Sequence, residues 1–319
     1  TRNCQNGKLT YLSPYISRGV ISTKFVFNYL KSLNISWESS EKLIQELAWR
    51  DYWQIVWNEK GNTIFKDLKH VQKPVSNHHL PTVLNNANTG IHEIDQAIRT
   101  LYNTGYMHNH MRMYVASVSC NIAQSHWLLP SKWLYYHLLD GDLASNTLSW
   151  QWVAGTNANK KYFANQDNIN KYFYSNQRNT FLDVSYEEIL SLDIPKILQE
   201  TTSIALNTNL PKFEKPNLNP NKKTLIYNYY NMDPFWHKND DVQRVLLLEP
   251  KHFENFPISA ACINFMLDLS KNISDIKIMI GSFNELLENV NQEQICYKEH
   301  PTNNHFKGIV EPRDWMTNV

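Results

Sequence analysis

The chain has 319 residues, 42% of them hydrophobic, and a formal net charge of +1. That length suits about two domains of ~150 residues each, and the hydrophobic share excludes a disordered chain. The near-zero charge excludes a globally basic nucleic-acid binder but allows a local basic groove, because binding depends on how charge is distributed.

The four cysteines, Cys4, Cys120, Cys262 and Cys296, form no CxxC pair, so no metal site is expected. Scattered thiols point to a reducing, cytoplasmic setting. No apolar run reaches the roughly 18 residues of a membrane span, so no membrane partner is expected. The chain opens on Thr1, and an upstream segment is expected.

Taken in order, residues 1–205 read as a helical domain. Ser13 and Pro14 form a helix start, and Ser22 precedes apolar residues at helical spacing. "EKLIQELAWRDYWQIVWNE", Glu41–Glu59, predicts a helix with a broad apolar face, and residues 60–88 read as irregular. Helices are predicted near 91–103, 108–125, 131–139 and 186–200, with polar loops over 155–180. Residues 206–223 read as a linker, rich in proline and lysine from 210. Residues 224–319 alternate short apolar runs with helical segments, which predicts a small parallel α/β module. The fold class predicted for the whole chain is mainly α, with that module at its C-terminal end. The module has no Gly-rich phosphate loop, and its sequence does not name its role.

Aromatics are dense, with 10 Trp, 17 Tyr and 13 Phe, and every tryptophan except Trp236 and Trp315 lies before residue 160. Such a region is a large core, a stacking platform or an electron-transfer chain. Four constellations could carry chemistry. Glu46, Trp49, Arg50 and Trp53 share a helical face, as a salt bridge beside core aromatics or as a cavity wall. Asn109, Arg112, Met113 and Ala116 share another, where Asn and Arg suit a planar heterocycle or a carboxylate. Thr10 and Ser13 precede a helix N-terminus, which favours an anion. "LLDGDLASNTLSWQW", residues 138–152, packs acids, small polar residues and two tryptophans together.

In this order, "TRN", "LTYLSPYISRGVIS", "QELAWRDYW", "TGIHEIDQAIRTLYNTGYMHNHMRM" and "LLDGDLASNTLSWQWVAGT" resemble the FAD-binding domain of the DNA photolyase/cryptochrome family. The resemblance covers roughly residues 1–165 and includes no N-terminal antenna domain. It implies an all-helical domain holding a U-shaped FAD. By position, Thr10, Leu12 and Ser13 would hold the FAD phosphates, and Glu46 and Arg50 would line the site. Asn109 and Arg112 would sit beside the flavin, with Arg112 paired to Asp140. Asp140 and Asp142 would edge the ring, and Asn146 would face flavin N5, where it tunes which reduced or radical state is stable. Trp150 and Trp127 would be the first two members of the photoreduction chain. The catalytic set implied is therefore Glu46, Asn109, Asn146, Trp150 and Trp127.

In photolyases a lesion is flipped out of the duplex, and light-excited reduced flavin gives an electron to a pyrimidine dimer. Trp49 and Trp152 match the aromatics that cradle the lesion, Glu46 the acid that stabilises it, and Met113 a methionine that contacts it. Arg2 matches a basic DNA-contacting position. Photolyases for (6-4) products carry histidines where this chain has Asn109 and Met113, so the resemblance is to the cyclobutane-dimer type. Asn146 also resembles photolyases more than plant-type cryptochromes, which carry Asp there. The implied activity is deoxyribodipyrimidine photolyase, acting on dimer-containing DNA, single- or double-stranded.

Three departures stand out. No tryptophan occurs between Trp57 and Trp127, where the distal member of the chain would lie, so electrons would exit through Trp133, Tyr135 or Tyr136 or stop at Trp127. The residue matching a phosphate-contacting arginine is Ala164, and another basic position is His110. The α/β module stands at the C-terminal end, as an unrelated addition or a permuted relic of the antenna domain. These departures suit the alternative of a cryptochrome-like blue-light sensor that signals to a protein partner through the module. A flavin-free structural protein is the third reading.

Overall fold

The computed structural model describes Gly7 and Leu9–Met316. Its helices and strands, in chain order, are α1 (Ser13–Ser17), α2 (Thr23–Ser32), α3 (Trp37–Lys60), β1 (Leu80–Pro81), α4 (Thr82–Asn85), α5 (His92–Thr104), α6 (Asn109–Ser117), α7 (Leu128–His137), α8 (Leu143–Ala154), α9 (Gln166–Phe173), β2 (Thr201–Thr202), β3 (Thr224–Tyr227), β4 (Gln243–Leu248), α10 (Pro250–Asn255), α11 (Ala260–Ser270), β5 (Ile276–Ile280), α12 (Phe283–Leu287), β6 (Ile295–Lys298) and β7 (Ile309–Glu311). The chain is thus mixed α/β rather than mainly α. It divides into two compact units: 1–11 with 62–206, and 12–61 with 207–319.

The first unit is helical. α5 forms because Ile94, Ile98 and Leu101 fall on one face and are fully buried. The buried Asp95 carboxylate accepts from the Thr89 and Gly90 backbone N–H groups at 2.7 and 3.2 Å, which holds the turn that leads into the helix. Gly105 ends it in the left-handed region, at φ +68°. α6 continues into a π turn over Val118–Ile122, where the buried Asn121 amide donates to the carbonyls of Val153 and Tyr162. α8 packs against α6 and α7 and is buried on almost every side. Its buried polar residue Gln151 is satisfied: the amide donates to Ile64 O at 2.6 Å and accepts from Leu68 N–H and Thr156 Oγ1. A short antiparallel pair, Leu80 with Thr202 and Pro81 with Thr201, ties the end of the unit to its middle.

The second unit is built on a five-stranded parallel sheet in the order β5-β4-β3-β6-β7. β3 and β4 are buried along their whole length, as unbroken apolar runs in parallel sheets are. One face packs Ile226, Val245, Leu247 and Tyr297 against Phe283 and Leu286 of α12 and against Phe306. The strand order, read from β3, is that of a doubly wound sheet whose direction of growth reverses between β3 and β6.

Residues 12–61, expected in the helical domain of 1–205, belong to this second unit. The physical reason is a set of buried contacts with the module. Arg18 is fully buried, with its guanidinium 3.6 Å over the Tyr229 ring. Gly19, at φ +65°, lets the chain run against Tyr230, whose carbonyl would lie 2.4 Å from any Cβ. Trp57 meets the His300 ring edge-on at 5.3 Å. Gln54 accepts from Arg313, and Asp51 accepts from the Met316 N–H and the Thr23 hydroxyl.

Local departures follow from composition. The helix predicted over 186–200 is two 3-10 turns, Glu188–Ser191 and Lys196–Leu198, separated by Pro195. α9 forms inside the predicted polar loop because Asn165 caps it and Ile169 and Phe173 are buried. β7 is not among the predicted strands; Ile309 and Val310 on it are exposed.

Trp57 is 2% exposed. Trp57→Ala is expected to cost about 3–5 kcal/mol and Trp57→Phe distinctly less. Urea unfolding followed by far-ultraviolet circular dichroism measures both.

Candidate functional site

α8 organises the polar part of the expected site. Asp142 is its N-cap and accepts from Ser145 N–H at 2.8 Å. Asn146 and Trp150 follow at one-turn intervals, so Asp142, Asn146 and Trp150 form one stripe. Two residues further, a rotation of about 200° puts Trp152 on the other side. Burial agrees: Trp150 is 2% exposed and Trp152 is 41% exposed, with its ring tilted against Tyr162 at 5.5 Å.

The Asn146 amide donates to Ser131 O at 2.9 Å. A carbonyl only accepts, so that contact must use Nδ2, and Oδ1 is the atom left to meet a ligand. Beside it, Ser145 Oγ is buried and has no hydrogen-bond partner among the described residues.

The preceding turn supplies charge. Asp140 is nearly buried and takes both its oxygens to Arg112 Nη2 at 3.0 Å. Arg112 Nε donates to Met107 O, which fixes the guanidinium plane. Arg112 lies on α6, one turn after the exposed Asn109, and Met113 is the next residue, half-buried. Tyr106 adjoins this ion pair and meets the Tyr11 ring at 5.6 Å. Burial pushes its hydroxyl pKa up, against the pull of Arg112.

Trp127 is fully buried at the start of α7, and its indole N–H donates to Asp67 Oδ1 at 2.6 Å. Trp150, Trp127 and Trp133 share one apolar core, and Trp133 donates to the Tyr102 hydroxyl at 3.1 Å. Desolvation pushes that hydroxyl up to about 12, against the pull of the Trp133 hydrogen bond.

The structure divides the predicted residues between the two units. Thr10, Asn109, Arg112, Met113, Trp127, Asp140, Asp142, Asn146, Trp150 and Trp152 lie in the first. Leu12, Ser13, Glu46, Trp49 and Arg50 lie in the second, and Arg2 is outside the described residues. Leu12 is the N-cap of α1 and Ser13 its first residue. Glu46 is exposed; Trp49 is 53% exposed and stacks at 5.4 Å on Trp53. Arg50, predicted on the same helical face as Glu46, hydrogen-bonds to the Ser17 hydroxyl. Ala164, at the expected phosphate-contacting position, is 2% exposed and sits in the core. His110 is engaged with Tyr114 and Tyr172. Asp67 and Tyr106 are not among the residues predicted from sequence, and neither carries a local signal: Asp67 lies in an irregular stretch 60 residues before its indole partner.

The family profile described as the FAD binding domain of DNA photolyase matches residues 43–181. A deoxyribodipyrimidine photo-lyase of Alkalihalophilus pseudofirmus is 30% identical over 152 residues, covering 46% of this chain and 32% of that protein. A cryptochrome DASH of Danio rerio is 29% identical over 157 residues, covering 46% and 29%. Over residues 43–181 the chain thus resembles the DNA photolyase/cryptochrome family. A solved Synechocystis cryptochrome is similar to this chain at 27% identity and TM-score 0.47, covering 54% of this chain and 38% of that one. The chain spans about a third of the length of these curated relatives.

The cofactor of this photolyase/cryptochrome domain is FAD. The first unit's groups fit the polar edge of a flavin. Asp140 and Asp142 bring carboxylate acceptors that would suit ring N–H groups, Arg112 brings a donor that would suit ring carbonyls, Asn146 offers Oδ1, and the buried Ser145 hydroxyl has no partner among the described residues. Asp140→Asn would strip Arg112 of its charged partner. It is expected to weaken FAD binding by about 1.5–3 kcal/mol, roughly tenfold to a hundredfold in Kd. The FAD-to-protein absorbance ratio after dialysis measures this.

Proposed function

We propose that this protein is a light-driven FAD enzyme that repairs cyclobutane pyrimidine dimers in DNA, a deoxyribodipyrimidine photolyase. The observation that carries the reading is α8 itself, which has polar groups at its start, a buried indole in line with them and an exposed indole on the opposite side. Bound reduced FAD supplies the electron on absorbing blue light. The chain's task is to hold and orient. Asn146 Oδ1 is an acceptor, which suits a protonated N5 better than an unprotonated one. Trp152 offers an indole face to an extruded base, and the resemblance makes Trp49 the second aromatic of this reading. Glu46, Asn109 and Met113 are the further lesion- and flavin-contacting positions of this reading. Trp150 and Trp127 are its internal electron donors, and the Asp67 carboxylate can take the indole proton when Trp127 is oxidised.

Two positions at which the family meets DNA phosphate favour a second reading. Ala164 is an uncharged core residue, His110 is stacked on Tyr114 and tilted against Tyr172, and phosphate contacts supply much of DNA affinity. On that reading the chain is a cryptochrome-like blue-light sensor that signals to a protein partner through the α/β module.

The deciding assay is blue-light treatment of the reduced protein with a dimer-containing oligonucleotide. Light-dependent restoration of thymines is expected. Absence of restoration with FAD bound and reduced overturns the repair reading, and a light-dependent change in hydrodynamic size would then favour the sensor.

A second measurement tests the electron path. Trp150→Phe is expected to keep FAD bound and to slow its photoreduction at least tenfold. Unchanged bleaching of the flavin absorbance would remove Trp150 from the path.

A further inference from the structure

The α/β unit contains a side-chain cluster that the flavin chemistry does not use. His237, Cys296 and Glu311 each bring a ligand atom within 4.8 Å of the others. They come from three separate segments. His237 lies in the turn region between β3 and β4, Cys296 is the second residue of β6, and Glu311 ends β7. His237 Nε2 is 2.7 Å from Glu311 Oε1, and the Cys296 thiol donates to the same oxygen at 3.1 Å.

The groups behind these atoms are arranged as they are around bound metals. Asp240 Oδ2 lies 2.6 Å from His237 Nδ1, so a carboxylate orients the ring from behind and leaves Nε2 to face the cluster. Trp236 Nε1 donates to the outer oxygen of Glu311 at 2.7 Å and turns Oε1 inward. The His237 backbone is in the left-handed region, at φ +48°, a conformation a non-glycine residue adopts at a cost. Its carbonyl is held there by Arg244 Nη2 at 2.6 Å. Cys296 is fully buried, whereas the His237 and Glu311 side chains are 23% and 29% exposed, which leaves a way in from solvent.

We propose that His237 Nε2, Cys296 Sγ and Glu311 Oε1 form a three-ligand site for a zinc-like divalent cation, with solvent water as the fourth ligand. One imidazole, one thiolate and one carboxylate are a borderline donor set that suits zinc over calcium or magnesium. Coordination bonds of about 2.0–2.3 Å at tetrahedral angles separate neighbouring donors by about 3.3–3.5 Å. The two hydrogen bonds to Glu311 Oε1, at 2.7 and 3.1 Å, hold those pairs closer than this, and all three donors lie within 4.8 Å of one another, so the ion draws the His237 and Cys296 atoms to their places around Oε1 by rotamer adjustment. The ion displaces the thiol proton, which passes to solvent, and replaces hydrogen bonds with coordinate bonds.

The test uses the whole chain, freed of metal by chelation and titrated with Co²⁺, with spectra read as differences against the flavin. A thiolate-to-cobalt charge-transfer band is expected to saturate at one equivalent and to be bleached by Zn²⁺. Cys296→Ser should abolish the band. His237→Gln, at a partly exposed ring, should keep the far-ultraviolet spectrum and weaken Co²⁺ binding at least tenfold. Absence of the band in the unaltered chain, or an undiminished affinity in His237→Gln, overturns the proposal and leaves the cluster as a hydrogen-bonded tie between β6 and β7. Should Cys296→Ser fail to fold, the His237→Gln affinity decides.

Discussion

A helix buried on almost every side has no water to satisfy its polar groups, and α8 carries several of them. Several bonds in the first unit answer that constraint. Asp142 closes the helix start, and Gln151 is bonded to the chain around Ile64, Leu68 and Thr156. Asn146 is fastened to Ser131, and Asn121 reaches Val153 from the π turn. These bonds fix the rotation of α8 about its axis. The rotation in turn decides which of its tryptophans is buried and which meets solvent.

The same logic explains the ion pair before it. Arg112 and Asp140 are partly withdrawn from water, where either alone would be costly, and the Met107 carbonyl takes a further donor of the guanidinium. A flat cofactor edged by such a pair meets groups that are already oriented, so little ordering remains to be done on binding.

Much of this was legible from residue types. The apolar spacing of α3 and α5, the Ser22 cap and the unbroken apolar runs of β3 and β4 all announce themselves locally. The order of motifs from Thr10 to Trp152 pointed to the family and to the Arg112–Asp140 pair. What stayed hidden depends on partners distant in sequence. Pro195 outweighed the apolar pattern of 186–200, and Asn165 started a helix within a polar run. Nothing near Leu12 or Gly61 signals that this segment is buried against a module two hundred residues away. The Glu311 carboxylate is invisible for the same reason: its indole, imidazole and thiol neighbours converge only once the sheet is assembled.

The strand order β5-β4-β3-β6-β7 puts the reversal point of the sheet at the carboxyl ends of β3 and β6, the crevice where such sheets commonly receive small molecules. Here Tyr229, Tyr230 and His300 line that end, and Arg18 and Trp57 from the N-terminal segment are seated on them. The chain has become the tenant of its own crevice. The C-terminal module is therefore no detachable appendage. Cutting the chain near residue 206 would strip α3, the helix that bears Glu46, Trp49 and Arg50, of the surface that covers its buried side.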